Sequence, residues 1–405
     1  MQKALTHNNR VLYKLLTIQA ISMAAFTAPI IVAYFQLRGV DLAGFFLVQG
    51  CFRLMVVACE IPAGYIADRW DRSQVITVAL TVWFIGNVIL VCAHNFIWLL
   101  TANLVFAITA ALISGTLEAY IYDILEQKNR TSEAERWIGR LHASSYTAEG
   151  GSSILGAILF AWWPVAPAVA QATAASISML LAYTLPNIPR KKRSLNHSHW
   201  QEVKRIIKWS LYDHLELKWL ILFPAILFAG SVVFFWSIQI MLLEKNVEVV
   251  WIGWAISTVF ISKIVFALGA EYLLKSCKGG GLILLLLASF SVGGGLLALP
   301  SNPWFIYLGG IVGAGFVHAF SRPMFISFVS QRTKPDERVT ALSVMRLISM
   351  LLGAFWLAAA QPLMEYGNIN MGGYILLTVF ITLLLILWPA IRLYQLRLLE
   401  PIKQK

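Results

Sequence analysis

Residues 60–74 read Glu60-Ile61-Pro62-Ala63-Gly64-Tyr65-Ile66-Ala67-Asp68-Arg69-Trp70-Asp71-Arg72-Ser73-Gln74, a charged passage held between two long apolar runs at 42–64 and 75–93. About 20 apolar residues in a helix span the ~30 Å of hydrocarbon in a bilayer. Both runs reach that length, so the charged passage is a connection between two membrane helices. The same ruler can be laid along the rest of the chain.

It predicts twelve spans, at 15–37, 42–64, 75–93, 96–122, 138–160, 164–185, 219–243, 250–274, 282–299, 304–331, 339–363 and 373–393. Only 13% of the 405 residues are charged, against roughly 25% in a soluble domain, and twelve crossings leave no room for a soluble domain of ordinary size. The spans are expected to be helices, because a backbone exposed to lipid must satisfy its own hydrogen bonds. The expected fold class is therefore an all-α membrane protein with two six-helix bundles.

The net charge of +12 would suggest nucleic acid in a soluble protein, but its distribution argues for topology instead. Lys3, Arg10 and Lys14, Arg69 and Arg72, Lys128, Arg130 and Arg136, the cluster from Arg190 to Lys218, Lys275 and Lys278, Arg332, Lys334 and Arg338, and Arg392 to Lys405 all fall in alternate connections or the tails; the intervening loops hold only Arg38 and Lys245. The positive-inside rule then places both termini in the cytoplasm. The first apolar run reads as a membrane helix rather than a cleavable leader, since the even topology needs it.

The one long polar stretch, 186–218, divides the chain into bundles at 1–185 and 219–405. Within it Trp200, Val203, Ile206, Ile207 and Leu211 recur at helical spacing. This stretch is either an amphipathic helix on the membrane surface or a solvated linker helix. A degenerate repeat relates the halves: Ala134–Arg136 before span 5 corresponds to Asp336–Arg338 before span 11, and Gly64, Arg69 and Arg72 overlay Ala270, Lys275 and Lys278. Cys51, Cys59, Cys92 and Cys277 lack metal-ligand spacing and are expected to be reduced packing residues.

The passage from Gly64 to Gln74 resembles the signature loop of the major facilitator superfamily, Gly-x-aliphatic-small-Asp-(Arg/Lys)-x-Gly-(Arg/Lys)-(Arg/Lys), at the same place between spans 2 and 3. It departs at Asp71, where the family has Gly, and at Ser73, where the family often has a second cation. The text Ser114-Gly115-Thr116-Leu117-Glu118-Ala119-Tyr120-Ile121-Tyr122-Asp123 also resembles a bacterial, drug-efflux-like branch of that superfamily. The resemblance implies a transporter working by alternating access. It also implies a conformational latch built from Gly64, Asp68, Arg69, Arg72 and Asp123, in which Asp68 would meet the positive amide end of span 11 and Arg72 would pair with Asp123. The alternative is that these are ordinary interfacial charges.

Inside the spans lie Arg53, Glu118, Glu149, Lys263, Arg322 and Arg346, in spans 2, 4, 5, 8, 10 and 11. At mid-span, spans 3, 6, 9 and 12 hold none, Arg392 standing at the very end of span 12; spans 1 and 7 hold none either. A charge at the bilayer centre is unfavourable by ~2.5–3.5 kcal/mol on the mildest scale, so such groups face a partner or a wet cavity. The three-step rhythm predicts eight helices around a polar interior and four toward lipid, which is the division that the resemblance also implies.

On span 5, His142, Ser145, Tyr146 and Glu149 follow one another at i, i+3, i+4 and i+7 and share a face. A carboxylate withdrawn from water takes up a proton more readily, so Glu149, and after it Glu118, are the expected proton-coupling groups. The alternative for each is a permanent ion pair with Arg53 or another interior cation. The expected solute-binding residues are Arg53, Tyr146, Gln239, Lys263, His318, Arg322 and Arg346, with Trp236 and Phe235 as an aromatic wall.

Four interior cations against two interior acids favour a solute bearing an anionic group, and span 1 offers only Gln19 and Ser22 to a cationic drug. The expected function is secondary transport of a small organic solute, anionic or amphipathic, by proton-coupled efflux. Uptake of an anionic nutrient is the alternative. A membrane-embedded transferase would need an acid pair, metal cluster, nucleophile elbow or phosphate loop, and none is found. No cofactor or metal is expected, and the anticipated state is a monomer in the cytoplasmic membrane.

Overall fold

A computed structural model describes residues 2–188, 208, 212–277, 279–299, 302–333 and 335–399. The helices are α1 (Gln2–Ser22), α2 (Ile31–Gln36), α3 (Leu42–Arg69), α4 (Arg72–Cys92), α5 (Phe96–Ile113), α6 (Thr116–Glu126), α7 (Ala134–Trp162) and α8 (Ala166–Ala182). They continue as α9 (Leu215–Glu244), α10 (Val249–Ser276), α11 (Gly279–Ala298), α12 (Pro303–Gly309), α13 (Val317–Arg332), α14 (Pro335–Glu365) and α15 (Met371–Gln395). Among the described residues nine passages are long and apolar enough to cross a membrane. The interrupted α1–α2 pair, the polar α7 and the 17-residue α8 complete the twelve. The amphipathic segment around Trp200–Leu211 lies outside the described residues.

The helices group into two compact units, Met1–Asn196 with Glu248–Ser257, and His197–Val247 with Thr258–Lys405. In the first, α1, α4, α6, α7 and α8 bury an apolar cluster that includes Leu12, Leu15, Ile76, Tyr120, Ile124, Trp137 and Leu185. In the second, α9 is apolar all round and sits at the centre, packed by α11, α13, α14 and α15. That is where a helix without a polar face belongs.

Three spans that the sequence draws as continuous helices are interrupted. Span 1 stops at Ser22 and resumes through a 3-10 turn at Ala28–Ile30. Pro29 lacks an N–H, and the carbonyl of Ala25 accepts from Ala28 N–H instead at 3.2 Å. The amides that the break leaves without helical acceptors are served within the unit, Ala25 N–H donating to Ser152 Oγ at 2.6 Å and Thr27 N–H to Gln171 Oε1 at 3.4 Å. Span 4 breaks at Gly115, whose φ of +69° suits a residue without Cβ. There the Thr116 hydroxyl donates to the carbonyl of Leu112 at 2.8 Å. Span 10 passes through a π-helix at Gly310–Phe316, a geometry concentrated at functional sites.

The charged connection is shorter than the sequence suggests. Helix α3 runs on to Arg69 and α4 starts at Arg72, so Gly64 and Asp68 are helical and only Trp70 and Asp71 turn the chain. Asp71 has φ −66° and ψ 141° and forms a capping box with Gln74. The turn therefore needs no glycine, and the departure at Asp71 supplies an N-cap.

The loop cation Arg38 also acquires a reason. Its Nε donates to the carbonyl of Ala93 at 2.8 Å and its Nη2 to Tyr34 Oη at 3.2 Å, while Tyr34 Oη donates to the carbonyl of Leu90. Arg38 thus caps the negative end of α4.

Gly156 is where the broken part of span 1 touches α7: a Cβ there would lie 1.9 Å from the carbonyl oxygen of Phe26. Gly156→Ala should destabilise the protein by about 1–3 kcal/mol, the usual penalty of overpacking. A lowered melting temperature of the detergent-purified chain would register it, and an unchanged one would refute the close approach.

Candidate functional site

In the first unit the predicted stripe on α7 is met by polar groups from two neighbouring helices. Gln19, in the last turn of α1 before the break, donates through Nε2 to Ser145 Oγ at 2.8 Å. Ser145 in turn donates to the carbonyl of Leu141 at 3.1 Å. One turn earlier on α7, His142 Nε2 lies 3.8 Å from Glu118 Oε1, and both side chains are partly exposed. Glu118 occupies the first turn of α6, immediately after the Gly115 break, where the helix end is positive and favours a carboxylate. Tyr146 and Glu149 are half-buried on the same helix, and Arg53 is half-buried on α3.

In the second unit Lys263 is only 9% exposed. Its Nζ sits 4.6 Å from the ring centre of Phe260 and 5.7 Å from that of Phe235. Aromatic faces attract a desolvated ammonium by ~2 kcal/mol, which offsets part of the cost of burial. Trp236 meets Phe235 edge-on at 5.0 Å, and His318 meets Phe228 at 4.9 Å. Gln239 is fully buried, so in this conformation it does not present a free amide. Arg346 is half-buried on α14. Arg322 is placed on α13, and its side chain lies outside the described residues, as do those of Asp336–Arg338, Ala270 and Lys275; Lys278 lies outside altogether.

The π-helix of span 10 leads directly into His318. It is seated against α10 and α11 by glycine contacts: a Cβ on Gly315 would lie 2.2 Å from Ser262 Oγ, and one on Gly293 would lie 2.3 Å from the Cα of Gly313.

At the ends of the first unit's helices, Arg72 Nε lies 3.6 Å from Asp123 Oδ2 with both side chains largely buried. This is ion-pair rather than hydrogen-bond distance. Asp68 is half-buried in the last turn of α3, Arg69 stacks 4.2 Å above Tyr65, and Gly64 has open space at its Cβ.

The sequence reading missed what surrounds the pair. Ser73, next to Arg72, bonds Asn187; Tyr120, one turn before Asp123, donates to the carbonyl of Pro186; and Lys14 donates to that of Thr184 at 3.1 Å. Ser73 was visible as a departure from the family pattern, but nothing in sequence linked it to position 187. On the same side Arg130 makes a two-pronged bond to Glu133 at 2.6 and 2.7 Å, and that hydrogen-bonded charge holds the Glu133 carboxyl below its usual range.

Twelve membrane passages in two six-helix units, with interrupted spans and charges placed at membrane depth, define a multi-pass transporter rather than an enzyme. The family profile of the Major Facilitator Superfamily matches residues 15–358. The chain belongs to that superfamily. Among curated relatives it is 33% identical over 84 residues to an uncharacterized transporter, BU466, of Buchnera aphidicola subsp. Acyrthosiphon pisum (strain APS). It is 29% identical over 84 residues to another from Buchnera aphidicola subsp. Schizaphis graminum (strain Sg). Each alignment spans 21% of both proteins.

The fold is similar to the nucleoside transporter NupG, with a TM-score of 0.76 at 15% identity over 94% of this chain and 98% of the other. It is similar to a D-xylose–proton symporter, with a TM-score of 0.68 at 14% identity over 92% and 95%. A bacterial homolog of the human lysosomal transporter Spinster gives a TM-score of 0.66 at 15% identity over 96% and 97%.

Breaking the Arg72–Asp123 pair should be detectable in stability. Asp123→Asn leaves a largely buried guanidinium without its partner charge and should lower stability by about 2 kcal/mol, below the fully buried range because some solvent screening remains. Arg72→Met added to Asp123→Asn should recover part of that loss. Additive losses in the double-mutant cycle would show that the two groups do not interact.

Proposed function

We propose that this transporter moves a small organic anion across the cytoplasmic membrane by alternating access, with both termini in the cytoplasm and a single chain as the working unit. The observation that carries the reading is Lys263: a buried ammonium at membrane depth, in a bundle whose spans 7–12 have acids only near their ends, at Glu244, Glu248, Glu271, Asp336, Glu337 and Glu365. Lys263, Arg322 and Arg346 leave that bundle electropositive, which favours a carboxylate or phosphate on the solute. His318 and Tyr146 would add hydrogen bonds, and Arg53 a further cation.

Proton-coupled efflux is the proposed direction, resting on the resemblance of the Ser114–Asp123 text to an efflux-like branch. Glu149 is the proposed proton carrier, with Glu118 as the second candidate. Uptake by proton symport is the second reading, favoured by the likeness to a D-xylose–proton symporter. We assign Asp68, Arg69, Arg72, Asp123 and Gly64 to the latch that governs the conformational exchange.

Proteoliposomes with an imposed pH gradient, screened against labelled organic anions and cations, test the reading. Lys263→Gln should reduce anion transport at least tenfold while the protein remains folded; a variant that carries anions at the normal rate removes Lys263 from the site. Glu149→Gln should abolish the response to the pH gradient while solute exchange persists, and a normal response would exclude Glu149 as the carrier. Asp68→Asn should slow turnover more than it lowers expression.

A further inference from the structure

We propose that Gln19, Ser145, His142 and Glu118 form a hydroxyl-binding subsite, so that the solute is a hydroxylated organic anion rather than a plain hydrocarbon acid. The proposal rests on the anion reading above and adds to it the part of the solute that the first unit would hold.

The leading observation is an acceptor with nothing to accept. Gln19 Oε1 is buried and, among the described residues, takes no hydrogen bond. Ser145 directs its O–H to the carbonyl of Leu141 and accepts from Gln19 Nε2, which leaves Oε1 outstanding. Turned round, the amide would take that O–H and leave Nε2 outstanding instead, so one buried end of it lacks a partner in either sense, and a hydroxyl can serve both. A buried carbonyl in this state calls for a donor from outside the protein.

The second observation is the company it keeps. His142 and Ser145 lie on one face of α7, about 5 Å apart along the helix axis, and His142 brings the Glu118 carboxylate to the same face at 3.8 Å. The helices that carry these groups, α1, α6 and α7, pack against one another, and two of them are interrupted beside the site, at 23–27 and at Gly115. Interrupted membrane helices are a recurring place for ligands in secondary transporters, because the backbone groups freed at half-helix ends can face the site.

Chemistry selects the ligand class. An amide carbonyl and a carboxylate accept, while an imidazole either donates or accepts according to its tautomer. Such a set is matched by adjacent hydroxyl groups, which donate to Gln19 and Glu118 and accept from His142. A methylene chain in their place would bury those groups without partners, the arrangement that discriminates most strongly against an analogue lacking the hydroxyl.

The test uses the full chain in detergent and paired probes of equal charge and carbon number: glycerate with propionate, gluconate with hexanoate, and xylitol as an uncharged polyol. Ligand-induced shifts in melting temperature are read as affinities. Wild type should bind each hydroxylated anion at least tenfold more tightly than its deoxy partner. Gln19→Leu should erase that preference while leaving the unliganded protein as stable or more stable, because it removes a buried unsatisfied atom. Gln19→Glu, which keeps an acceptor, should retain much of the preference and guards against misfolding of the leucine variant.

Equal binding of hydroxylated and deoxy anions by wild type means that Oε1 is served by water only, and overturns the subsite while the anion reading stands. A preference undiminished in Gln19→Leu also overturns it. Binding of xylitol alone, lost in Gln19→Leu, upholds the subsite and overturns the anion reading. A panel in which nothing binds overturns both.

Discussion

A backbone in hydrocarbon has no water to fall back on, and the positions of the polar side chains in this protein follow from that constraint. Each departure from continuous helix creates amide and carbonyl groups that need partners inside the fold. The break in span 1 is served by Ser152 and Gln171, and that in span 4 by Thr116. These side chains make the interruptions tolerable, and the interruptions in turn place Gln19 at one helix end and Glu118 at another. The polar site on α7 is therefore a consequence of how the backbone is satisfied, as well as of which residues happen to be polar.

Charge obeys the same logic at two depths. Arg38 stands in a loop where cations are scarce, and it is there because α4 ends in carbonyls that it can cap through Ala93 and Tyr34. Lys263 is deeper, and the rings of Phe260 and Phe235 lie 4.6 and 5.7 Å from its ammonium. Rings lower the burial penalty without supplying an opposite charge. The first cation is explained by the helix end it caps, whereas the second is the one for which a role toward the solute is proposed.

The spans were legible because their signal is additive over some twenty residues: the twelve runs in sequence correspond to the nine long apolar passages together with the interrupted α1–α2 pair, the polar α7 and the short α8. The breaks were not legible, because each is decided by one or two residues whose effect depends on a neighbour. Pro29 signals a break only once Ser152 and Gln171 are known to lie opposite, and Gly115 only once its φ is seen to be positive. The π-helix carries no sequence mark beyond glycines that also have a packing explanation. Likewise the α7 stripe could be read from a spacing of three and four, but its partner Gln19 is 126 residues away from Ser145, and no local pattern encodes that distance.

The signature passage shows how a departure from a family pattern can be informative. Asp71 replaces a glycine without strain because the backbone there is extended, and Ser73 replaces a cation with a group small enough to bond Asn187. With Tyr120 holding Pro186 and Lys14 holding Thr184, and Leu185 sunk in the apolar cluster, the chain leaving the first bundle is fastened to the two helices that carry Arg72 and Asp123. A movement that parts this ion pair must therefore either carry residues 184–188 with one of the helices or break their bonds to both. The connector and the ion pair are mechanically one layer, and a substitution at Ser73 or Tyr120 acts on the pair without touching either charge.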